Sequence, residues 1–325
     1  MDLRFVSISE ARPGPKWQAV FERHWPAYKK WFLSEGHRAR PGYQSSLKAL
    51  RNHMPELVPI YESLVELAGG GDLEARFLSL YCPPPYLSGC SQAVWLRDRP
   101  VLVRNYDYSP RLFEGRLLRT EWRRPVISVI DCLWGVLDGI NDAGLAVSLS
   151  FGGNKTVGEG FGVPLILRYV LETCDDADSA SKVLQRIPTH MHYNVTVADR
   201  EGTFFTAHLA PDRPAIIRAE PVSTNHQDRV EWDDYARMTT TVERKEHLQA
   251  RLADPEETEQ TFLNRFLEPP LYSTRFDKAF GTLYTAAYYP ETLEAEYRWP
   301  GGRSLRQSFE NFKEGTTVIR LKRAA

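Results

Sequence analysis

Cys90 and Asp107 are the two residues whose types and spacing most clearly allow chemistry. A thiol can act as a nucleophile, and a carboxylate beside it can orient the group that accepts its proton. Cys90 stands out because it follows Gly89 and begins an alternating apolar run; a small buried core residue is the alternative role for it. The four cysteines contain no CxxC pair, which indicates reduced thiols, and are Cys82, Cys90, Cys132 and Cys174.

The segment that joins these two residues predicts a β-hairpin. Two runs rich in Val and Leu flank the sequence RDRP at residues 97–100. With the turn centred after Asp98, paired positions sum to 197, so Cys90 faces Asp107 with Cβ atoms about 4.5–5.5 Å apart. A one-residue shift of the turn would send the two side chains to opposite faces.

Gly89 suggests a second reaction for the same thiol. A glycine before Cys90 lets the backbone adopt strained geometry without a Cβ clash, as attack of the thiol on the Gly89 carbonyl requires. Cleavage would free the Cys90 α-amine, whose ordinary pKa is about 7.7–8.0. That amine can accept the thiol proton near neutral pH. A tight approach of the strand to a neighbour explains the same dipeptide without any chemistry.

Five motifs occur in a fixed order along the chain. They are Gly89-Cys90, Arg104-Asn105-Tyr106-Asp107, Asn141-Asp142-Ala143-Gly144-Leu145, the run YNVTVAD at 193–199, and Thr224-Asn225-His226. In this order the sequence resembles the cysteine N-terminal nucleophile hydrolases, most closely the autoproteolytic, isopenicillin N acyltransferase-like branch, with bile-salt hydrolases and penicillin V acylases more distant. The resemblance implies an α+β protein with a four-layer αββα sandwich, self-cleavage between Gly89 and Cys90, and attack on linear, non-peptide C–N amide bonds.

The resemblance assigns roles to four residues. Cys90 would be the nucleophile, Asp107 would orient its α-amine and thiol, and Arg104 would lie beside it. Asn194 would donate its side-chain amide to the oxyanion hole. Relatives carry a second asparagine where this chain has SLSF at 148–151, so a backbone N–H is the expected second donor.

Three more polar residues match the family more loosely. Arg244 corresponds to a distal arginine, but in a charged helix it is expected to be a surface charge. Asn141 and His226 match motifs whose role is architectural, so neither is placed in the catalytic set.

Two other kinds of protein remain compatible with the sequence. A Cys–His thiol hydrolase without self-cleavage would use His226 or His208 as its base. A non-catalytic binding protein on the same fold would need none of these groups. A metal site at His190 and His192 lacks an evident third ligand, and this pair is expected to be exposed in a loop.

Composition restricts the partners and the compartment. The 41 basic and 42 acidic residues give a net charge of −1, which indicates no nucleic-acid partner. The sequence contains neither an unbroken apolar run for a membrane span nor a secretory signal, which predicts a cytoplasmic protein. The sequence lacks a glycine-rich phosphate-binding loop, so no cofactor is expected. The expected partner is a small acyl amide; whether water or another nucleophile takes the acyl group, and whether the chain forms homo-oligomers, stays open.

The elements that must position these residues divide the chain at Gly89. Residues 1–89 are predicted to be a helical N-terminal segment, because apolar residues recur at three- and four-residue spacing between 15 and 68. Residues 90–325 are predicted to be the catalytic domain, with many short strands and a few helices. The resemblance implies that the N-terminal segment stays bound as a second subunit after cleavage.

Overall fold

The computed structural model describes residues 2–321, which form 16 strands, nine α-helices and two short 3₁₀ helices at Pro55–Leu57 and Phe276–Lys278. The strands are β1 (Asp2–Glu10), β2 (Gly89–Trp95), β3 (Val101–Tyr108), β4 (Arg116–Thr120), β5 (Val126–Asp131), β6 (Gly135–Asn141), β7 (Ala146–Phe151), β8 (Tyr193–Ala198), β9 (Phe204–Ala210), β10 (Arg213–Arg218), β11 (Val222–Ser223), β12 (Thr274–Arg275), β13 (Phe280–Tyr289), β14 (Glu294–Trp299), β15 (Arg303–Ser308) and β16 (Gly315–Arg320). The helices are α1 (Pro15–Phe32), α2 (Tyr43–His53), α3 (Val58–Leu67), α4 (Asp72–Leu78), α5 (Val163–Thr173), α6 (Ala177–Arg186), α7 (Asp233–Thr239), α8 (Thr241–Ala253) and α9 (Glu259–Arg265).

The strands form two sheets. The larger has nine strands in the order β10-β9-β8-β7-β6-β5-β4-β1-β16, and its neighbours are antiparallel except for β1 and β4. The smaller has the order β11-β2-β3-β13-β14-β15, with β12 paired to β13.

The two sheets pack face to face between helical layers. Strands β2 and β3 contact β7 and β8 of the larger sheet. Helices α5 and α6 cover the larger sheet, and α8 packs on β2 and β11 of the smaller one. The predicted αββα arrangement is confirmed. None of the helices within residues 2–321 has both the length and the apolar character needed to cross a bilayer.

The β2–β3 hairpin is buried on both faces. Because side chains alternate along a strand, Cys90 and Val94 enter the core between the sheets, whereas Ala93 and Trp95 enter a second cluster with residues of α8 and α9. A functional group on either face of this hairpin is therefore shielded from solvent.

The N-terminal segment contains the predicted helices and one strand that the sequence analysis missed. β1 lies inside the larger sheet, between β4 and β16. Its alternation places Leu3 and Phe5 in the core between the sheets. The segment 1–89 therefore supplies part of the sheet as well as helices packed on the core.

The predicted register of the β2–β3 hairpin is wrong by one residue. The residue numbers of paired positions sum to 196 and not to 197. Gly89 therefore lies opposite Asp107, and Cys90 lies opposite Tyr106. The loop spans the five residues 96–100, and Leu96 is 38% exposed instead of paired. Cys90 and Asp107 therefore face opposite sides of the sheet, and their predicted direct contact does not form.

Candidate active site

Cys90 lies at the start of β2 and is 0% exposed. Its thiol lies in the core between the two sheets. Arg104, on the same face of β3, donates from Nη2 to Sγ at 3.1 Å, and Ser88 Oγ lies 3.8 Å from Sγ. Burial raises the pKa of the Cys90 thiol, whereas the Arg104 guanidinium lowers it. The structure thus brings one of the predicted site residues, Arg104, to the thiol.

Arg104 is fixed by a carboxylate from the opposite sheet. Asp138 of β6, which is fully buried, pairs with Arg104 Nη1 and accepts the hydroxyl hydrogens of Tyr284 and Tyr288 on β13. Tyr106 lies beneath the same guanidinium, with its ring centroid 4.7 Å from Cζ. Sequence reasoning missed Asp138; an aspartate within the apolar run VLDGI was the available signal.

Replacing Asp138 tests this connection. In Asp138→Asn the arginine loses its charged partner, so we expect the rate of any reaction of the Cys90 thiolate at neutral pH to fall roughly 10- to 100-fold. Because a less firmly held guanidinium stabilises the thiolate less, the acidic limb of the rate-versus-pH profile should move to higher pH. Tyr288→Phe, which removes one hydrogen bond to Asp138 and no charge, is the milder control. An unchanged pH profile in folded Asp138→Asn would contradict the role.

Asp107 lies on the other face of β3 and is also fully buried. Thr282 Oγ1 donates to its Oδ1 at 2.6 Å, and Arg244 Nη1 lies 3.3 Å from its Oδ2. Burial raises the pKa of Asp107, whereas Arg244 and the Thr282 hydrogen bond lower it. The carboxylate is therefore connected to Cys90 through Arg244 and not across the hairpin.

Arg244 is 1% exposed, so the expectation of a surface charge is wrong. Its Nη1 donates to the Cys90 carbonyl oxygen at 2.8 Å and to Ser91 Oγ at 2.7 Å, and its Nη2 donates to Asn225 Oδ1 at 2.8 Å. Helix α8 packs directly on β2, which buries this face of the helix. Leu248, one turn later on the same face, was the sequence signal for burial.

Asn225 contacts the backbone on both sides of the Gly89–Cys90 bond. Its Oδ1 accepts the Cys90 N–H at 3.0 Å, and its Nδ2 donates to the Ser88 carbonyl at 3.2 Å. Thr224-Asn225-His226 is one of the five sequence motifs, but the motif itself assigns no role to Asn225. Only the fold shows that this loop lies against β2.

Asn194 lies on β8, where its amide supports the loop that carries Asn225. Its Nδ2 donates to the carbonyls of Thr224 at 2.9 Å and His226 at 3.0 Å. No hydrogen bond joins its side chain to Cys90 within residues 2–321. The structure therefore places Asn194 behind the loop of Asn225.

Ser148 and Ser150, where the resemblance leads one to expect a second asparagine, bind other polar groups. Ser148 Oγ donates to Gln92 Oε1 at 2.6 Å, and Ser150 Oγ donates to the Thr224 carbonyl at 2.7 Å. Gln92 shares its face of β2 with Cys90, so this network extends from the thiol strand to the loop of Asn225.

Histidines do not reach the thiol in the described part of the chain. The side chain of Cys90 is hydrogen-bonded there by Arg104 and Ser88. His226 Nδ1 instead lies 2.9 Å from Thr241 Oγ1, and burial with nearby cations lowers its pKa to about 4. The Nδ1 atom of His208 lies 3.6 Å from Oδ1 of Asp228.

His190 and His192 are buried, so the expectation that they are exposed loop residues is wrong. Their Nδ1 atoms lie 3.3 Å from the Phe161 carbonyl and 3.5 Å from Gln227 Oε1, respectively. Residues 2–321 contain no group of three His, Cys, Asp or Glu residues placed to hold a metal ion.

Gly89 is required by close packing. A Cβ at this position would lie 1.8 Å from Cε2 of Phe280, so any other residue would displace that ring. A cavity of about 460 Å³ borders Ser88 and Gly89 and is lined on other sides by aromatic residues that include Tyr108, Tyr235 and Phe280. The bond before the thiol therefore lies beside space for an apolar group.

The sequence from residue 95 to residue 304 matches the model of the acyl-coenzyme A:6-aminopenicillanic acid acyl-transferase family. This is 210 of the 325 residues. The chain belongs to this family. The predicted family resemblance is confirmed, and the protein is an enzyme of the acyltransferase and amidohydrolase class. The matched range includes four residues of the candidate site: Arg104, Asp107, Asn225 and Arg244. Cys90 lies before the first matched residue of this acyl-transferase family model.

Three solved structures are similar to this acyl-transferase family member. Penicillin V acylase from Agrobacterium tumefaciens shares 14% identity, covering 68% of this chain and 86% of that one, with a TM-score of 0.47. The Caenorhabditis elegans N-acylethanolamine-hydrolyzing acid amidase ortholog shares 16% sequence identity. The match covers 71% of this chain and 100% of that one, with a TM-score of 0.46. A mutant of conjugated bile acid hydrolase from Clostridium perfringens shares 11% sequence identity. The match covers 72% of this chain and 97% of that one, with a TM-score of 0.45. No curated protein matches the chain.

Proposed function

We propose that this enzyme cleaves its own Gly89–Cys90 bond and then uses Cys90 to cleave linear, non-peptide amides through an acyl-thioester. The observation that supports this most strongly is the convergence of three side chains on one residue. Arg104 binds the thiol, Asn225 binds the backbone N–H, and Arg244 binds the backbone carbonyl of Cys90. A structural cysteine would not need a cation at its sulfur.

Self-cleavage begins with attack of the Cys90 thiol on the Gly89 carbonyl carbon. The C–N bond breaks, a thioester forms, and the thiol proton ends on the departing Cys90 nitrogen. Water then hydrolyses the thioester, which leaves a Gly89 carboxylate and a free Cys90 thiol and α-amine. Arg104 would stabilise the thiolate that attacks.

The freed α-amine would serve as the general base for the substrate reaction. It takes the thiol proton, Sγ bonds to the acyl carbon, and the proton passes to the leaving amine of the substrate. Water or an acceptor amine then releases the acyl group. Asp107 would act on this amine through Arg244, which contacts both the Asp107 carboxylate and the Cys90 carbonyl oxygen.

Cleavage would also expose two hydrogen-bond donors. In the intact chain the Ser88 carbonyl accepts from Asn225 Nδ2 at 3.2 Å and from Tyr235 Oη at 2.7 Å. Once the end of the N-terminal segment withdraws, both donors are free to bind the substrate carbonyl oxygen as negative charge develops on it. In this scheme Asn225 donates to the oxyanion, and Asn194 positions the Asn225 loop.

An assay of simple N-acyl amides with single histidine variants tests the base. Because amine and thiol belong to one residue, His208→Ala and His226→Ala should each retain wild-type dependence of rate on pH. Chemical acetylation of the new N-terminus should abolish turnover. If one histidine variant folds and is processed but loses all activity, the α-amine is not the base and a Cys–His mechanism takes its place.

A further inference from the structure

A second cavity holds a pair of carboxyl groups whose contacts are incomplete. It measures about 350 Å³ and lies between α1, the loop before β4 and the end of β5. Glu114 is 5% exposed, and its Oε1 accepts from Tyr28 Oη and from the Leu133 N–H. Tyr28 Oη also lies 2.7 Å from Asp131 Oδ1, so the two carboxyl groups share its single hydroxyl hydrogen. Glu114 Oε2, in contrast, is buried without a hydrogen-bond partner.

The rest of the lining suits a positively charged group. Aromatic side chains surround the carboxyl groups, and aromatic faces attract cations; they are Tyr28, Trp31, Tyr86, Tyr108 and Phe113. The lining has no third carboxylate, cysteine or histidine placed with this pair as a metal ion would require, within residues 2–321. An organic ammonium group is thus favoured over a metal ion.

Two lining arginines do not occupy the carboxyl groups. Arg23 and Arg111 are exposed, so their charges are screened by water at the rim of the cavity. The pKa of His24 is lowered to about 4 by burial and by the nearby Arg116 and Arg23, so its imidazole is neutral at pH 7.

The cavity adjoins the nucleophile through packed rings. Tyr106, opposite Cys90 in the hairpin, lies with its ring centroid 5.6 Å from that of Tyr108 and 5.8 Å from that of Phe113. Tyr108 and Leu112 also line the cavity beside Gly89, so the two cavities share a wall. The carboxyl-lined cavity is thus separated from the cavity beside Gly89 by the side chains of Tyr108 and Leu112.

We propose that Glu114 and Asp131 bind a primary ammonium group at one end of the substrate whose amide Cys90 cleaves. This deepens the proposed function and rests on it for the identity of the ligand as substrate. The unpartnered Glu114 oxygen would accept a hydrogen bond from the ammonium group, and Asp131 would supply the second acceptor.

The charge of the pair gives the binding a definite pH dependence. Burial raises the pKa of both carboxyl groups, the mutual repulsion of the pair raises that of Glu114 further, and Tyr28 opposes both shifts. Arg116 lowers the pKa of Glu114, and Arg104 lowers that of Asp131. Cys132, at the end of β5, stays a neutral thiol because burial and both carboxylates raise its pKa. Below the pKa of the pair a proton occupies the site, so ammonium affinity should rise as pH increases towards neutrality.

Calorimetry with phenethylamine, 2-phenylethanol and phenylacetate on the full chain tests the proposal without requiring turnover. We expect the amine to bind roughly 10- to 100-fold more tightly than the alcohol at pH 8, with a smaller ratio at pH 5. Glu114→Gln and Asp131→Asn, which each retain an acceptor oxygen for Tyr28, should remove that preference. Glu291→Gln, which removes an exposed carboxylate elsewhere, should keep it.

Equal binding of amine and alcohol, or tighter binding of phenylacetate, would overturn the proposal. If neither carboxyl variant folds, the proposal can still be tested on the wild-type chain, from how the ratio of phenethylamine affinity to 2-phenylethanol affinity changes with pH. A chain that binds phenethylamine as expected but cleaves no amide would instead refute the proposed function. For an active enzyme, an ammonium-bearing amide should show a raised KM in Glu114→Gln, while the KM of a neutral amide stays unchanged.

Discussion

Cys90→Ala is expected to remain one 37.3 kDa chain, whereas the wild-type protein yields fragments of about 10 and about 27 kDa, in proportion to 89 and 236 of its 325 residues. The variant lacks the only atom that can attack the Gly89 carbonyl in this scheme. It should also lose all cleavage of N-acyl amides, since no thioester can form. Denaturing gel electrophoresis with N-terminal sequencing of the larger fragment measures the first effect.

A matched cysteine control separates the nucleophile from the other thiols. Cys174→Ala removes a buried cysteine on the far side of the larger sheet and should be processed like the wild type. Cleavage of Cys90→Ala at the same bond would show that another group performs it. A single wild-type chain with full amidase activity would remove self-cleavage while leaving the thiol mechanism in place.

Asn225→Asp is expected to lose 10²- to 10³-fold in amide cleavage. The aspartate keeps an oxygen that can accept from the Cys90 N–H and from Arg244, but it cannot donate a hydrogen bond to a developing oxyanion. The negative charge it adds would oppose that oxyanion as well. Steady-state kinetics with separately measured kcat and KM should place the loss in kcat.

Asn194→Ala provides the comparison that separates the two asparagines. It leaves the carbonyls of Thr224 and His226 without their amide donor, so we expect a loss of about 1–3 kcal/mol in the free energy of unfolding. Its activity at a temperature well below the melting point should fall far less than that of Asn225→Asp. The opposite ranking would return the oxyanion role to Asn194.

The family resemblance implied the layered architecture, whereas apolar alternation and turn residues, which are local signals, predicted the strand that carries Cys90. The hairpin register could not be predicted in this way. Arg97 in the loop donates to the carbonyls of Leu252 and Asp254, which are more than 150 positions away, and such contacts fix a five-residue loop that no local motif indicates. The resulting shift by one residue moved Arg104 to the thiol face and Asp107 away from it.

The missed site residues show the same limit. Asn225 and Arg244 come from a loop and a helix whose approach to β2 depends on tertiary packing, and Asp138 comes from the opposite sheet. Each residue type was visible in the sequence, but its neighbours were not. For Arg244 a local signal existed, because Thr241 and Leu248 share its helix face and are also buried.

The position of β1 between β4 and β16 bears on how the chain matures. Asp2 pairs with Arg320, so the larger sheet closes only after residue 320 has been synthesised. Contacts of such long sequence separation slow folding. Self-cleavage after closure would convert this intrachain pairing into one between two polypeptides, which neither fragment could restore as a folded sheet by itself. Separately expressed fragments 1–89 and 90–325 should therefore regain activity only when they are refolded together.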